Sequence, residues 1–375
     1  MQRQETKRRK REVWADNLQE QGTYSRCGQP PENCRCVEEK QQTKKAKDGY
    51  RLGKKERCGI VMGKMVFMFP GQGAQYAGMG KDFYEKESTA KEVFDKASHI
   101  TGLDVAAICF EENDRLSVTE YTQIAMVTVE VAILKVLEER GVSAQAAAGL
   151  SLGEYGAIVA AGAMRADTAF AIVRRRGVYM QEAVPTGGAM AAVLGLSAEA
   201  IEEICTQTEG IVSVANYNCP GQIVITGEAE AVSRAGEELK RKGAKRVMPL
   251  KVSGPFHSKM LTGAGERLRK DLDRAQLLDF SIPYVANLTA DYVRSTENIR
   301  ELLEKQISSP VRWQQSVERL LADGFDTFVE IGPGRTLSSF VKKIKAQHTE
   351  GGEITVVNVD KYEDLENSME VLKNA

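Results

Sequence analysis

The segment GLSLGEY, residues 149–155, places Ser151 between two glycines in the pattern G-x-S-x-G. This pattern is typical of a nucleophile elbow, a sharp turn from a strand into a helix that exposes the serine hydroxyl. The following EYGAIVAAGAM has helical periodicity. The preceding SAQAAA, residues 143–148, favours a helix by propensity, so a strand there requires burial to override that preference. From this stretch alone, Ser151 is either a nucleophile or a serine in an ordinary glycine-rich turn.

A serine nucleophile needs a base, and the chain contains three histidines. His99 precedes Gly102 at the end of a predicted helix, where a capping role is the simpler account. His348 lies in a polar stretch near the last helix. His257 follows the predicted strand PLKVS and precedes a helix, so it lies at the carboxyl end of a strand, where an elbow serine also lies. By elimination His257 is the candidate base, and a structural loop histidine is the alternative.

Acyl transfer also needs hydrogen-bond donors for the oxyanion, commonly the amide after the nucleophile and one from a loop after an early strand. Leu152 would supply the first donor. The loop PGQGAQ, residues 70–75, follows the strand MVFMF and would supply the second, unless it only turns the chain or binds phosphate. Neither this loop nor GPGRT, residues 332–336, has the Lys-Ser/Thr ending of a P-loop, which argues against nucleotide binding.

The larger organisation is that of an α/β protein, because short apolar runs alternate with amphipathic stretches from residue 62 onward. The periodicity predicts, among others, one helix over residues 81–97. Residues 187–252 have the order strand, helix, strand, strand, helix, strand, which is that of a ferredoxin-like unit. We therefore predict an α/β-hydrolase-like large domain, with a parallel sheet and the nucleophile elbow, in residues 62–186 and 253–375. The ferredoxin-like small subdomain is inserted into it.

Composition excludes several function classes. The chain has 51 Lys and Arg against 52 Asp and Glu, a balance that directs it neither to nucleic acid nor to a membrane surface. No apolar run reaches the roughly 18 residues of a membrane span, and the N-terminus lacks the apolar core of a signal peptide. We expect a cytoplasmic protein with Cys109, Cys205 and Cys219 reduced.

The first 61 residues differ from the rest, with 16 basic and 9 acidic side chains. Their low hydrophobicity predicts a disordered segment, and Met62 or Met65 is the expected start of the folded protein. A basic arm with a binding role is the alternative. Four cysteines in this segment have spacings that fit no zinc site, and we predict no metal. Those cysteines are Cys27, Cys34, Cys36 and Cys58.

Seven motifs together resemble the malonyl-CoA:acyl carrier protein transacylases in order and spacing, over essentially all of residues 65–345. They are FPGQGAQ (69–75), GLSLGEY (149–155), RGVYMQEA (176–183), NCPGQIVITG (218–227), GPFHS (254–258), QISSPVRW (306–313) and EIGPGRTL (330–337). The resemblance implies a ping-pong transfer of malonyl from coenzyme A, through an ester on Ser151, to the phosphopantetheine thiol of acyl carrier protein. It implies no cofactor beyond the coenzyme A thioester used as substrate.

The resemblance also implies roles for individual residues. His257 would be base and then acid, held by the main-chain carbonyl of Gln306 instead of an aspartate. Arg176 would bind the malonyl carboxylate, since a planar guanidinium fork suits two carboxylate oxygens. Gln72 and Leu152 match the oxyanion amides. Three residues match pocket-lining motifs or are structural hydrogen-bonding residues: Gln75, Asn218 and Gln306. Leu150 stands where many relatives have histidine, which bears on the shape of the pocket.

Arg176 has two arginine neighbours in the sequence. Successive helix positions point about 100° apart, so only one of Arg174, Arg175 and Arg176 can face the site.

Carrier proteins are acidic, so we expect a basic docking patch on this protein. The candidate patches are KRKGAKR (240–246) and KKIK (342–345), and each of them could instead be a solvated helix end. The alternative functions are a transferase or thioesterase of the same fold with another acyl group or acceptor, a polyketide-pathway enzyme, and a catalytically silent carrier-protein-binding module.

Overall fold

The computed structural model describes residues 63–252, 254–348 and 352–374. The predictions made for residues 1–61 lie outside the described residues. Two sheets organise the described part, one of six strands and one of four. Within the described ranges, no helix is both long enough and apolar enough to cross a membrane.

The strands are β1 (Met65–Phe69), β2 (Ala146–Gly149), β3 (Gly188–Leu194), β4 (Val212–Cys219), β5 (Gln222–Glu228), β6 (Arg246–Pro249), β7 (Tyr284–Val285), β8 (Tyr292–Val293), β9 (Thr327–Ile331) and β10 (Thr355–Val359). The α-helices are α1 (Lys81–Lys86), α2 (Ser88–Thr101), α3 (Val105–Phe110), α4 (Thr119–Glu139), α5 (Glu154–Ala160), α6 (Ala166–Ala183), α7 (Ala198–Gln207), α8 (Ala229–Arg241), α9 (Thr262–Leu272), α10 (Ile299–Gln306), α11 (Trp313–Ala322), α12 (Thr336–Lys345) and α13 (Tyr362–Asn374).

The large sheet has the order β10-β9-β1-β2-β7-β8, and all neighbours pair in parallel except β7 and β8. The central strand β1 is apolar and buried along its whole length, as a parallel strand covered on both faces must be. The alanine-rich β2 is also fully buried, between β1 and β7. Pairing on both sides therefore overrides the helical preference of alanine, and the predicted strand before the elbow is confirmed.

The predicted single helix over residues 81–97 was wrong, because the chain breaks at Glu87 into α1 and α2. Glu87 has extended dihedral angles, φ −124° and ψ 117°, and its carboxylate accepts a hydrogen bond from Arg140. Beside the break, the ring of Phe83 meets Tyr362 edge-on at 5.6 Å between centroids. These partners are distant in sequence, so local periodicity could not indicate the break.

The small sheet has the order β4-β5-β3-β6 with antiparallel pairing throughout, and its six elements follow the ferredoxin-like order. One face packs against α7 and α8, where Ala191 and Val193 of β3 join a buried cluster with Ile201. Met190 and Ala192, which alternate with them, face the other way and border the cavity described below. The predicted fold class, an α/β large part with an elbow and a ferredoxin-like unit, is confirmed.

Candidate active site

Ser151 lies at the carboxyl end of β2, where the chain turns sharply into α5. Its φ of 53° is in the left-handed region, which a non-glycine residue rarely adopts, and a short 3-10 turn, Ser151–Gly153, follows. The turn brings backbones into contact: a Cβ on Gly149 would lie 2.0 Å from the carbonyl oxygen of Gly153, and one on Gly153 would lie 2.1 Å from that of Phe69. Both glycines are therefore required sterically, as the elbow prediction assumed.

Replacing Gly153 with alanine is expected to lower the melting temperature and the activity together. The new methyl group would meet main-chain atoms that cannot move independently, and such overpacking costs about 1–3 kcal/mol of unfolding free energy. Gly263→Ala in α9 is the matched control: its Cβ would meet nothing within 4 Å, so alanine should stabilise the helix slightly. Calorimetric melting of both variants checks this, and equal melting temperatures would contradict the close-packed elbow.

His257 lies against the serine, although the two are 106 positions apart in sequence. Its Nε2 is 2.7 Å from Ser151 Oγ, and its Nδ1 is 2.8 Å from the main-chain oxygen of Gln306. Because a carbonyl oxygen only accepts, Nδ1 carries the proton and Nε2 presents its lone pair to the serine hydroxyl. The pair therefore has the geometry of a nucleophile and its base.

The imidazole is held in its neutral form. His257 is 4 % exposed, and burial together with the nearby charge of Arg176 lowers its pKa to about 4. The hydrogen bond to Gln306 works in the opposite direction but is outweighed. A neutral imidazole at pH 7 can accept the serine proton, which a base must do.

This pKa predicts how fast Ser151 reacts at acid pH. Modification of Ser151 by phenylmethanesulfonyl fluoride should proceed at an almost constant rate from pH 8 to pH 5.5. A histidine with the ordinary pKa of about 6.5 would instead lose about tenfold over this range. Protonation of a nearby carboxylate would only lower the pKa of His257 further, so it cannot mimic that loss. A modification rate that falls at acid pH with a midpoint near pH 6.5 would contradict the lowered pKa of the buried His257.

Arg176, on α6, is fully buried beside the serine. Its Nη2 donates to the side-chain oxygen of Gln306 at 3.0 Å and lies 3.3 Å from Ser151 Oγ. Within the part of the chain that the structure describes, Arg176 forms no ion pair, and its Nε has no hydrogen-bond partner. A buried guanidinium without a carboxylate partner leaves an unbalanced positive charge at the nucleophile.

The neighbouring arginines point elsewhere, as helical geometry predicts. Arg174 pairs with Glu120 at 2.8 Å, and Arg175 pairs with Asp271 at 3.1 Å. Of the three consecutive arginines, Arg176 is the one that reaches the serine.

A cavity of about 350 Å³ opens in front of Ser151, between the loops that follow β1 and β2 and the strands β3, β4 and β5 of the small sheet. Gln72, Leu152 and Asn218 line it, together with His257 and Arg176. Two predicted residues do not lie in its wall. The side chain of Gln75 accepts from the amide of Gly73 at 2.7 Å, within the loop after β1, and Gln306 lies behind the wall, holding Arg176 and His257.

Two buried residues complete the site, and neither was identified from the sequence. Asn287, two residues beyond the end of β7, accepts from the amide of Ser151 and donates to the carbonyl of Gly149, both at 2.6 Å. Glu154 accepts from Gln306 Nε2 at 2.6 Å and from the amide of Asn287 at 3.2 Å. Asn287 therefore fixes the elbow, and Glu154 connects the elbow to Gln306, whose main-chain oxygen accepts from His257 Nδ1.

Glu154 also places a titratable group beside Arg176. Burial raises the pKa of its carboxyl to about 7, while the hydrogen bonds from Gln306 and Asn287 and the charge of Arg176 oppose this increase. The site thus contains a buried cation and a buried acid that do not touch, joined by the amide of Gln306. No cluster of three or more metal-ligating side chains occurs among the residues described.

Comparison with known proteins agrees with this geometry. The family model for the acyl transferase domain matches residues 66–372. Malonyl CoA-acyl carrier protein transacylase of Bacillus subtilis (strain 168) is 43% identical over 317 residues, covering 83% of this chain and 98% of that protein.

Two solved structures are also similar to this chain. The crystal structure of malonyl CoA-acyl carrier protein transacylase from Clostridium perfringens has 41% identity and a TM-score of 0.78, covering 83% of this chain and 97% of the other. A type II PKS acyl-carrier protein in complex with its malonyl-transacylase gives 37% identity and a TM-score of 0.78, covering 82% and 99%. The chain therefore belongs to the malonyl-CoA:acyl carrier protein transacylases, a group of enzymes within the acyl transferase family.

Proposed function

We propose that this enzyme transfers the malonyl group of malonyl-CoA to the phosphopantetheine thiol of acyl carrier protein and so supplies fatty-acid synthesis. The observation that carries the proposal is the buried Arg176, 3.3 Å from Ser151 Oγ and without an ion-pair partner among the described residues. A free carboxylate on the acyl group would neutralise it, whereas acetyl would leave the charge buried and unpaired. Arg176 thus favours a carboxylated acyl group over a neutral one.

The proposed reaction has two halves. In the first, His257 Nε2 takes the hydroxyl proton while Ser151 Oγ attacks the thioester carbonyl. The amides of Gln72 and Leu152 then donate to the oxyanion. The carbon–sulfur bond breaks, coenzyme A leaves as the thiol with the proton from His257, and malonyl remains as an ester on Ser151. In the second half, the carrier-protein thiol loses its proton to His257 and attacks the ester, and Ser151 recovers its proton.

The remaining predicted residues have supporting roles in this proposal. The main-chain oxygen of Gln306 orients His257, and its side chain orients Arg176. Asn218 offers a buried side-chain oxygen without a hydrogen-bond partner in the described part of the chain, and it lines the cavity. Gln75 shapes the loop that carries Gln72.

We also propose the division of the chain into a large domain, residues 62–186 and 253–375, and a small subdomain, residues 187–252. The former carries the elbow and the base, and the latter forms the opposite wall of the cavity. In this proposal the reaction takes place in the cytoplasm and needs no cofactor. Coenzyme A enters only as part of the thioester, and three buried cysteines remain thiols: Cys109, Cys205 and Cys219.

The direct test is whether the intermediate is chemically competent. Enzyme acylated with labelled malonyl-CoA and freed of coenzyme A should pass one malonyl group per active site to holo-acyl carrier protein. Retention of the label on the enzyme, or its release as free malonate, would contradict transfer and would favour the thioesterase alternative. Transfer of the label to a polyketide carrier protein should be measured in parallel, because one similar structure holds such a partner.

A further inference from the structure

The cavity-facing side of the small sheet continues beyond the cavity onto the protein surface. Asn216 of β4, Val224 of β5, Ala192 of β3 and Met248 of β6 are successive partners across the sheet. Paired residues of antiparallel strands point to the same face, so these four form one row. The first three line the cavity, whereas Met248 is 40% exposed. The wall along which an acyl chain would lie therefore extends outward over the edge strand.

Leu250 extends this apolar surface at the rim. Its amide donates to the carbonyl of Met190 at 2.9 Å, it borders the cavity, and it is 37% exposed. Among the described residues, three large hydrophobic side chains are exposed to this degree, and two of them are Met248 and Leu250. Two exposed apolar side chains side by side at the mouth of an active site indicate a surface that another molecule covers.

The segment that contains β6 is strongly basic. Residues 240–251, KRKGAKRVMPLK, contain six basic side chains and no acidic one. Within the described ranges, only Arg241 of these six forms an ion pair, with Glu238. We call Lys245, Arg246, Met248, Leu250 and Lys251 the β6 strip; all five are exposed. Lysines alone can protect an edge strand from unwanted pairing, but such protection gives no reason for the exposed Met248 and Leu250.

The other basic segment, on α12, lacks these features. Lys343 Nζ lies 3.4 Å from the side-chain oxygen of Gln222, and Lys345 Nζ donates to the carbonyl of His348. Ile344 between them is buried. The structure thus separates two patches that the sequence could not rank.

We propose that the β6 strip is the docking surface for acyl carrier protein, an inference that rests on the proposed function. Lys245 and Arg246 would face acidic side chains of the carrier protein, and its apolar side chains would cover Met248 and Leu250. Docked there, the carrier protein places its phosphopantetheine arm along the wall formed by β3 and β5, with the thiol directed toward Ser151.

The test compares Lys245→Glu/Arg246→Glu with Lys270→Glu/Lys373→Glu. The second variant makes the same change in net charge at exposed helical lysines outside the strip. Three reactions are measured: acylation of Ser151 by malonyl-CoA, transfer to holo-acyl carrier protein of Bacillus subtilis, and transfer to free pantetheine. Lost electrostatic steering should reduce kcat/KM for the carrier protein about tenfold or more at low ionic strength. Acylation and transfer to pantetheine should be unchanged.

Met248→Ser should also weaken transfer to the carrier protein, and this loss should persist at high salt because it is apolar. Equal effects of the two charge-reversal variants would overturn the proposal. An equal loss in acylation by malonyl-CoA would also overturn it, since the strip would then bind the phosphates of coenzyme A. If the wild-type enzyme is malonylated but the strip variants keep the wild-type kcat/KM for the carrier protein, the docking proposal is overturned and the proposed function stands. If the wild type is never malonylated, both fail.

Discussion

His257→Ala is expected to lower the rate of Ser151 acylation by about 10⁴- to 10⁶-fold, which is the usual range for removing a triad base. Without Nε2 at 2.7 Å, the serine hydroxyl has no group to take its proton. The oxyanion donors and substrate binding remain, so a small residual rate should persist.

His99→Ala is the control, because His99 is exposed on α2 and does not line the cavity in front of Ser151. Single-turnover acylation by malonyl-CoA should be unchanged in that variant. Both proteins are compared by thermal melting, so that a loss of folding is not mistaken for a loss of the base. A His257→Ala enzyme that keeps even a tenth of the wild-type rate would exclude His257 as the base.

Arg176→Ala is expected to reduce the preference for malonyl-CoA over acetyl-CoA by about 10- to 150-fold. This range corresponds to about 1.5–3 kcal/mol for a hydrogen bond between charged groups. Arg176 is buried within 3.3 Å of Ser151 Oγ, so its contact with the acyl carboxylate would be shielded from water. Acylation by acetyl-CoA should not decrease, because acetyl offers no carboxylate for the arginine.

Arg175→Ala provides the matched control for this prediction. Arg175 is adjacent in sequence, but it is about half exposed and paired with Asp271. Its loss should leave the donor preference intact, and the buried Asp271 would keep its hydrogen bond from the Tyr179 hydroxyl. Equal selectivity in Arg176→Ala and wild type would show that another group recognises the carboxylate.

The proposed nucleophile Ser151 follows β2 directly, as the sequence predicted, whereas the predicted strand before His257 ends at Pro249 and belongs to the small sheet. Ser151 and His257 were identified from local signals, the glycine pattern and the strand–loop–helix order, and the structure places them 2.7 Å apart. Among the three adjacent arginines, Arg176 was selected by the resemblance, because the sequence does not show which face of α6 is buried. The structure shows that Arg176 is on that face.

Glu154 and Asn287 were missed for different reasons. Glu154 lies within the GLSLGEY motif, but a glutamate at a helix start ordinarily interacts with the helix dipole and stays exposed. Asn287 is the last residue of YVAN, at the carboxyl end of β7, the neighbour of β2. Because the carboxyl ends of parallel strands share an edge, the predicted strand YVAN pointed to Asn287, whereas β6, the strand before His257, lies in the other sheet. What the sequence could not supply is the pairing of β2 with β7.

Two features could not be predicted from the sequence for the same reason. They are the helix break at Glu87 and which of the two basic patches adjoins exposed apolar side chains. Both depend on contacts between segments far apart in the chain, such as Arg140 with Glu87 and Ala192 with Met248. Hydrophobic periodicity reports only which face of an element is buried. It does not report what covers that face, or where the cover ends and an apolar surface remains exposed.

We propose that Ser151 carries malonyl as a covalent intermediate. The most direct measurement is the intact mass of the protein after incubation with malonyl-CoA, in parallel with acetyl-CoA and with a Ser151→Ala variant. We predict one malonyl-sized adduct that is absent from the variant and disappears when holo-acyl carrier protein is added. A wild-type protein that acquires no adduct from either donor would contradict the account and leave only a carrier-protein-binding role.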